Sequence, residues 1–226
     1  MNYKRNKKYF THSAALLQLG IACLFAGIPF IFLSGVAGGL LMAFGILFMV
    51  LFFVKTPKDK DIDDDLFGYF ANANLKERAL ARLGIDESEI TEIAPVYLDG
   101  YYFDSTAAVR VGKDGKARSS LGRAVYFFFT QNEVYCYTYT VSLIESMFSE
   151  DTDTYFYTDI VSVATTTGTG TITDKTGKKT KNYQYDSFKL TTSGGTYMEA
   201  GLRDKAGAER SIIGMRNLVK AKKQAR

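Results

Sequence analysis

The chain has 226 residues with 28 basic and 24 acidic side chains, a net charge of +4 and a single His. Lys4, Arg5, Lys7 and Lys8 account for that excess, since the 172 residues after Val54 hold 24 charges of each sign. This balance argues against a nucleic-acid partner, which calls for a clear basic excess. His12 alone cannot supply a His-based triad or acid–base pair to the rest of the chain. With two Cys, Cys23 and Cys136, the chain has neither a disulfide framework nor enough ligands for a zinc centre.

Ser13 to Val54 is a run of 42 residues without a charged side chain. A bilayer core is roughly 30 Å thick and is spanned by about 20 helical residues. Forty-two helical residues would reach roughly 63 Å, so a single span would leave half the apolar surface in water. Two spans are expected, over 13–33 and 37–54, reversing across Ser34-Gly35-Val36-Ala37-Gly38-Gly39, where glycine supplies unusual backbone angles. Both flanks are basic, so both termini are expected in the cytoplasm of a multi-pass cell-membrane protein. Ala22, Ala26, Gly35, Gly39 and Ala43 recur at helical spacing and let helices approach closely. The expected contact is between the two helices of one hairpin, with a homo-oligomer as the alternative. The run continues far past any small-residue cleavage site, so it is expected to stay on the protein.

Residues 55–94 read as a polar and helical linker. The acidic 61–65 segment suits a helix start, a helix follows over 66–83 with Gly84 as its stop, and a short one lies at 87–93 before Pro95. From Val96 the pattern becomes strand-like, rich in Tyr, Phe and Thr. Strands are expected at 96–103, 106–111, 121–130, 134–144, 154–166, 183–191 and 196–202. Val125-Tyr126-Phe127-Phe128-Phe129 calls for burial on both faces or against a helix. Tyr135, Tyr137 and Tyr139 alternate with Cys136, Thr138 and Thr140. Residues 149–153 read as a polar turn and 165–181 as a loop or hairpin tip. A final helix over 206–223 carries an apolar stripe of Ile212, Met215 and Val219 that must pack on the strands. The fold class is therefore α+β: a two-helix transmembrane hairpin, a helical linker, and a β-rich domain over 95–226 closed by a helix.

Chemistry is sparse. Asp61, Asp63 and Asp65 have the spacing that opens a calcium loop, but Leu66 stands where Gly is needed and Asn72 where Glu is needed. No Gly-rich loop ends in Lys-Ser or Lys-Thr, and Gly168-Thr169-Gly170 is too short for a dinucleotide fingerprint. No cofactor, metal site or catalytic residue is assigned. A carboxylate-only enzyme using Asp99 and Asp104 is the least favoured reading.

The order of antiparallel hairpins followed by one amphipathic helix resembles the pleckstrin-homology superfold. Tyr157-Thr158-Asp159-Ile160-Val161-Ser162-Val163, Phe188-Lys189-Leu190 with Gly194-Gly195, and Arg210 to Val219 are similar to segments of bacterial PH-like and GRAM-type domains, over roughly residues 95–222. The last helix departs from that family in lacking Trp. The resemblance implies a bent, partly closed barrel with the helix plugging one corner. It also implies a membrane-tethered interaction module that holds a protein partner at the inner leaflet. The alternative it implies is an anionic lipid-headgroup sensor using basic loops, Lys113, Lys116 and Arg118 in one and Lys175, Lys178, Lys179 and Lys181 in the other.

Overall fold

The computed structural model describes residues 1–11, 15–173 and 180–225. The chain divides into two compact units, one of Lys4–Lys58 and one of Met1–Tyr3 with Asp59–Arg226. Helix α1 (Tyr3–Thr11) opens the chain. It leads to α2 (Ala15–Leu33) and α3 (Gly35–Lys55), both long and apolar enough to cross a membrane. Phe32 is 88% and Leu33 80% exposed, an apolar surface that water disfavours.

The reversal between α2 and α3 corrects the expected one. Ser34 alone makes it, in extended conformation at φ −156° and ψ 110°, and Gly35 to Gly39 already belong to α3. No glycine there needs a positive φ. The seam between the helices also differs from expectation. Gly20 lies against Met49 and the Gly45 carbonyl, and Gly27 against Met42 and the Gly38 carbonyl. Each pair is spaced by seven residues, two helical turns, so both glycines of a helix face the same neighbour. Ala22, Ala26, Gly35, Gly39 and Ala43 are instead exposed, and a Cβ on Gly35 or Gly39 would meet nothing within 4 Å. Their periodicity is helical but their phase is wrong. Ala22, two residues after Gly20, lies about 200° around α2 from the seam.

In the second unit, the single helix expected over 66–83 is two, α4 (Asp59–Asn72) and α5 (Leu75–Leu83). Asn74, left-handed at φ 47°, separates them, and Gly84, at φ 67°, ends α5. The expected helix at 87–93 shrinks to a single turn, Glu87–Glu89, capped by Asp86. Ile62, Leu66, Phe70, Leu75 and Ala79 are buried. The four large ones contribute roughly 1.5–3 kcal/mol each, so this segment is integral to the fold.

Nine strands follow among the described residues: β1 (Val96–Tyr102), β2 (Val109–Val111), β3 (Ala117–Ser119), β4 (Leu121–Phe129), β5 (Glu133–Ser142), β6 (Phe148–Phe156), β7 (Ile160–Thr173), β8 (Thr180–Thr192) and β9 (Tyr197–Gly201). They form antiparallel sheets ordered β1-β4-β5-β6 and β7-β8-β9, with β2-β3 as a separate hairpin. The expected polar turn at 149–153 is the middle of β6. Its Ser-Glu-Asp-Thr-Asp text hides a strand because β6 is a sheet edge paired only to β5 and largely exposed. The single strand expected at 154–166 is two, broken at Tyr157-Thr158-Asp159. The expected loop at 165–181 is mostly strand as well, since β7 runs to Thr173 and β8 starts at Thr180.

The inner face of β4 and β5 joins β7 to β9 and the final helix, α6 (Lys205–Gln224), in one core. Val125, Phe127, Cys136, Phe188, Ile212 and Met215 meet there. Asp204 caps α6 by accepting from the Gly207 amide at 2.9 Å. The outer face carries Phe128, Tyr137 and Tyr139, all at 0% exposure, and α4 and α5 cover it. Tyr69 of α4 stacks on Tyr139, their hydroxyls sharing a hydrogen bond of 2.8 Å. Arg78 of α5 pairs with Glu150 of β6. The two sheets join where β1 passes β9. The Arg203 amide donates to the Asp99 carbonyl at 2.8 Å, and Gly201 packs directly on the backbone of Tyr101.

Two outcomes are expected for the detergent-purified full chain. Gly38→Leu should destabilise it by about 1–3 kcal/mol while Gly39→Leu is near neutral, read as thermal midpoints. Gly201→Ala should cost a similar amount in urea unfolding, because the added methyl would overlap the Tyr101 carbonyl.

Candidate functional site

A cleft of about 570 Å³ lies in the second unit where β1, the β2-β3 hairpin, β7, β8 and the segment before α6 converge beside α4. Phe67, Tyr101, Phe103 and Tyr185 give it aromatic walls. The Phe103 and Tyr185 rings stack at 4.4 Å, and Tyr183 extends the stack at 5.6 Å from Phe103.

The carboxylates and guanidiniums of the cleft are committed to structural partners, while Lys116 on its rim is exposed. Arg118 of β3, 3% exposed, reaches Asp63 of α4 through two nitrogens, at 2.8 and 2.6 Å. It also reaches Asp114 in the hairpin turn at 3.0 and 2.9 Å. Tyr101 donates to the same Asp63 carboxylate at 2.7 Å. The Lys113 amide donates to Asp59 at 2.7 Å. These bonds latch the hairpin onto the first turns of α4. On the opposite wall, Arg203 pairs with Asp99 at 3.3 Å and lies over Phe67 at 4.5 Å. Asp186 accepts from Lys205 at 2.9 Å and Thr167 at 2.7 Å.

The protonation states follow from these partners. The Arg118 guanidinium holds the Asp114 carboxyl down at about 2. Burial pushes the Asp99 carboxyl above the usual range, against the pull of Arg203. Burial also pushes the Cys136 thiol up to about 12, which leaves it a poor nucleophile.

The site residues expected from sequence separate into different environments. Lys113 and Lys116 are exposed in the β2-β3 turn, but Arg118 is an internal latch with no free face for a headgroup. The β2-β3 hairpin lies between β1 and β4 in the chain. Lys181 is exposed on β8, whereas Lys175, Lys178 and Lys179 lie outside the described residues. Asp99 and Asp104 do not form a carboxylate pair, because Asp104 instead caps a turn through the amides of Thr106 and Ala107. Asp61, Asp63 and Asp65 lie on a helix, where alternate residues point apart. No metal-holding cluster of acidic, His or Cys side chains is found among the described residues. Sequence reading missed the cleft because it is built from aromatic residues far apart in the chain. The Asp114-to-Arg118 spacing was its one local sign.

A second, smaller groove of about 240 Å³ lies between the start of β7 and the last turns of α6, with Val161 and Lys220 among its walls. Searches against family models, curated proteins and solved structures found nothing that matches this chain.

The latch has a pH signature. The folded Asp114 value lies below the ordinary 3.8, so its contribution is full above pH 4 and is lost as pH falls through about 2. Asp114→Asn should lower unfolding stability at pH 7, by an amount limited by the partial exposure of this carboxylate. In urea titrations the difference from the parent should shrink from pH 4 downward and close below pH 2. Arg118→Ala should cost more than Asp114→Asn, since it removes both ion pairs at once and takes away the buried guanidinium that joins the hairpin to α4.

Proposed function

We propose that this protein is a membrane-tethered interaction module that holds a protein partner at the inner leaflet and acts by binding rather than catalysis. The observation that carries this reading is the chemistry of the cleft. Its walls are aromatic, and its carboxylates and guanidiniums are consumed in structural pairs. That arrangement offers a shaped surface and no poised acid, base or nucleophile.

The tether is the α2–α3 hairpin. Its length suits two spans, and Lys4 to Lys8 before it and Lys55, Lys58 and Lys60 after it put both ends on the cytoplasmic side by the positive-inside rule. A pleckstrin-homology-like reading of the β-rich part is supported by three features: the β6-β5-β4-β1 and β9-β8-β7 sheets meeting along β1 and β9, consecutive strands β6 and β7 at the opposite edges, and α6 packed beside β7. The β2-β3 hairpin and the α4–α5 cover are additions to that plan.

A second reading, binding of anionic lipid headgroups, rests on Lys113 and Lys116, which are exposed and make no ion pair among the described residues. It loses Arg118 to the latch. Amide protection of the 112–117 turn in anionic but not neutral nanodiscs would favour it, and equal exchange in both would dismiss it.

Gln184 is exposed on the lip of the cleft. Gln184→Arg should leave stability within about 0.5 kcal/mol while depleting a protein that co-purifies in stoichiometric amount from the native membrane in mild detergent. Absence of any stoichiometric partner, or robust turnover lost on changing one carboxylate, would contradict the proposal.

A further inference from the structure

The sheet edges of the second unit are treated differently. The outer edge strand β6 carries Glu150, Asp151 and Asp153, charges that discourage pairing with another chain. β1 and β9 lie against each other. β7 has neither protection: its fourteen residues, Ile160–Thr173, include no charge and no Pro. Among the described residues no strand pairs with its outer side.

The direction of its backbone groups can be read from one bond. Arg216 of α6 donates Nε to the Val163 carbonyl at 3.1 Å, so the polar groups of Val163 point away from β8. Strand periodicity then aims those of Thr165 and Thr167 the same way, beyond the β-bulge at Ile160/Ser162. Arg216 occupies the Val163 carbonyl, so the outward groups of Thr165 and Thr167 are the donors and acceptors in the geometry an incoming strand needs.

Beside this edge runs the groove of about 240 Å³. Ile160, Val163 and Val219 line it with buried apolar surface, and Val161 stands 61% exposed next to it. Its rim is cationic, with Lys220 and Lys223 making no ion pair among the described residues. An exposed uncharged strand edge, an apolar groove and unpaired cations in one place fit an extended ligand with acidic side chains.

We infer that the outer edge of β7 receives an extended acidic segment of a partner protein as an added strand, with apolar side chains in the α6 groove and carboxylates on Lys220 and Lys223. This rests on the interaction-module reading and names the chemistry of the partner. A second copy of the chain fits less well, because edge-to-edge pairing of two β7 strands would bring the same cations to the seam.

The test uses the full chain in nanodiscs as bait for a displayed library of short random peptides, with enriched peptides then measured by fluorescence anisotropy. Enrichment of Asp or Glu alternating with apolar residues is expected. Binding should weaken about tenfold or more in Lys220→Glu/Lys223→Glu. Thr165→Pro should also weaken it, since this change removes an outward N–H while sparing the β8 ladder. Near-identical thermal midpoints would show that both variants fold. No enrichment over selection on the charge-reversed variant, enrichment of basic peptides, or binding indifferent to both variants would overturn the inference. So would self-association abolished by Thr165→Pro, which would assign the edge to a second copy. A co-purifying partner retained by both variants but lost in Gln184→Arg would reject the edge and keep the module reading. A native preparation with no stoichiometric partner would reject the module reading itself.

Discussion

Phe127 and Phe128 are consecutive on β4, point to opposite faces of the sheet, and are both at 0% exposure. A strand cannot bury neighbouring side chains unless both faces of its sheet are covered. The rest of the second unit answers that requirement. Phe127 closes on Phe188 at 5.3 Å and on the helix α6 side of the core, while Phe128 lies under the tyrosine layer that α4 and α5 cap. Residues 59–83 are therefore part of the domain by necessity. Without them Tyr137, Tyr139 and Phe128 would form an apolar face open to water.

Covering both faces determines what is left for a partner. The faces of β4 and β5 are spent, and so are the charges that fasten the cover: Asp63 on Arg118, and Glu150 on Arg78 and Arg82. Among the surfaces that stay accessible are the aromatic cleft where the hairpin latch meets α4 and the outer edge of β7 beside α6.

The sequence made the apolar elements legible and the polar ones obscure. Val125 to Phe129 called for burial on both faces or against a helix, the tyrosine alternation marked β5 as a strand, and Ile212, Met215 and Val219 pointed to the packed face of α6. Gly84 marked the end of α5 correctly. Most of β6 was obscured because a charged edge strand has no reason to alternate, and the second half of β7 because its Thr- and Gly-rich text resembles a loop. In the hairpin, helical spacing identified small residues but not their phase, so Gly35 and Gly39 stood in for Gly20, Gly27, Gly38 and Gly45. Arg118 looked like a loop cation because the carboxylate it needs, Asp63, lies 55 residues away. Local text records propensity and periodicity. Long-range pairing of charges and the choice of helix face are settled only by the assembled chain.

The most direct measurement is residue-resolved amide hydrogen exchange on the full chain in nanodiscs. The account predicts slow exchange through α4, β4 and β5 together, as one cooperative unit, and fast exchange at the outward amides of Val163, Thr165 and Thr167 within the otherwise protected β7. An α4 segment exchanging as freely as a linker, or uniform protection along β7, would contradict it.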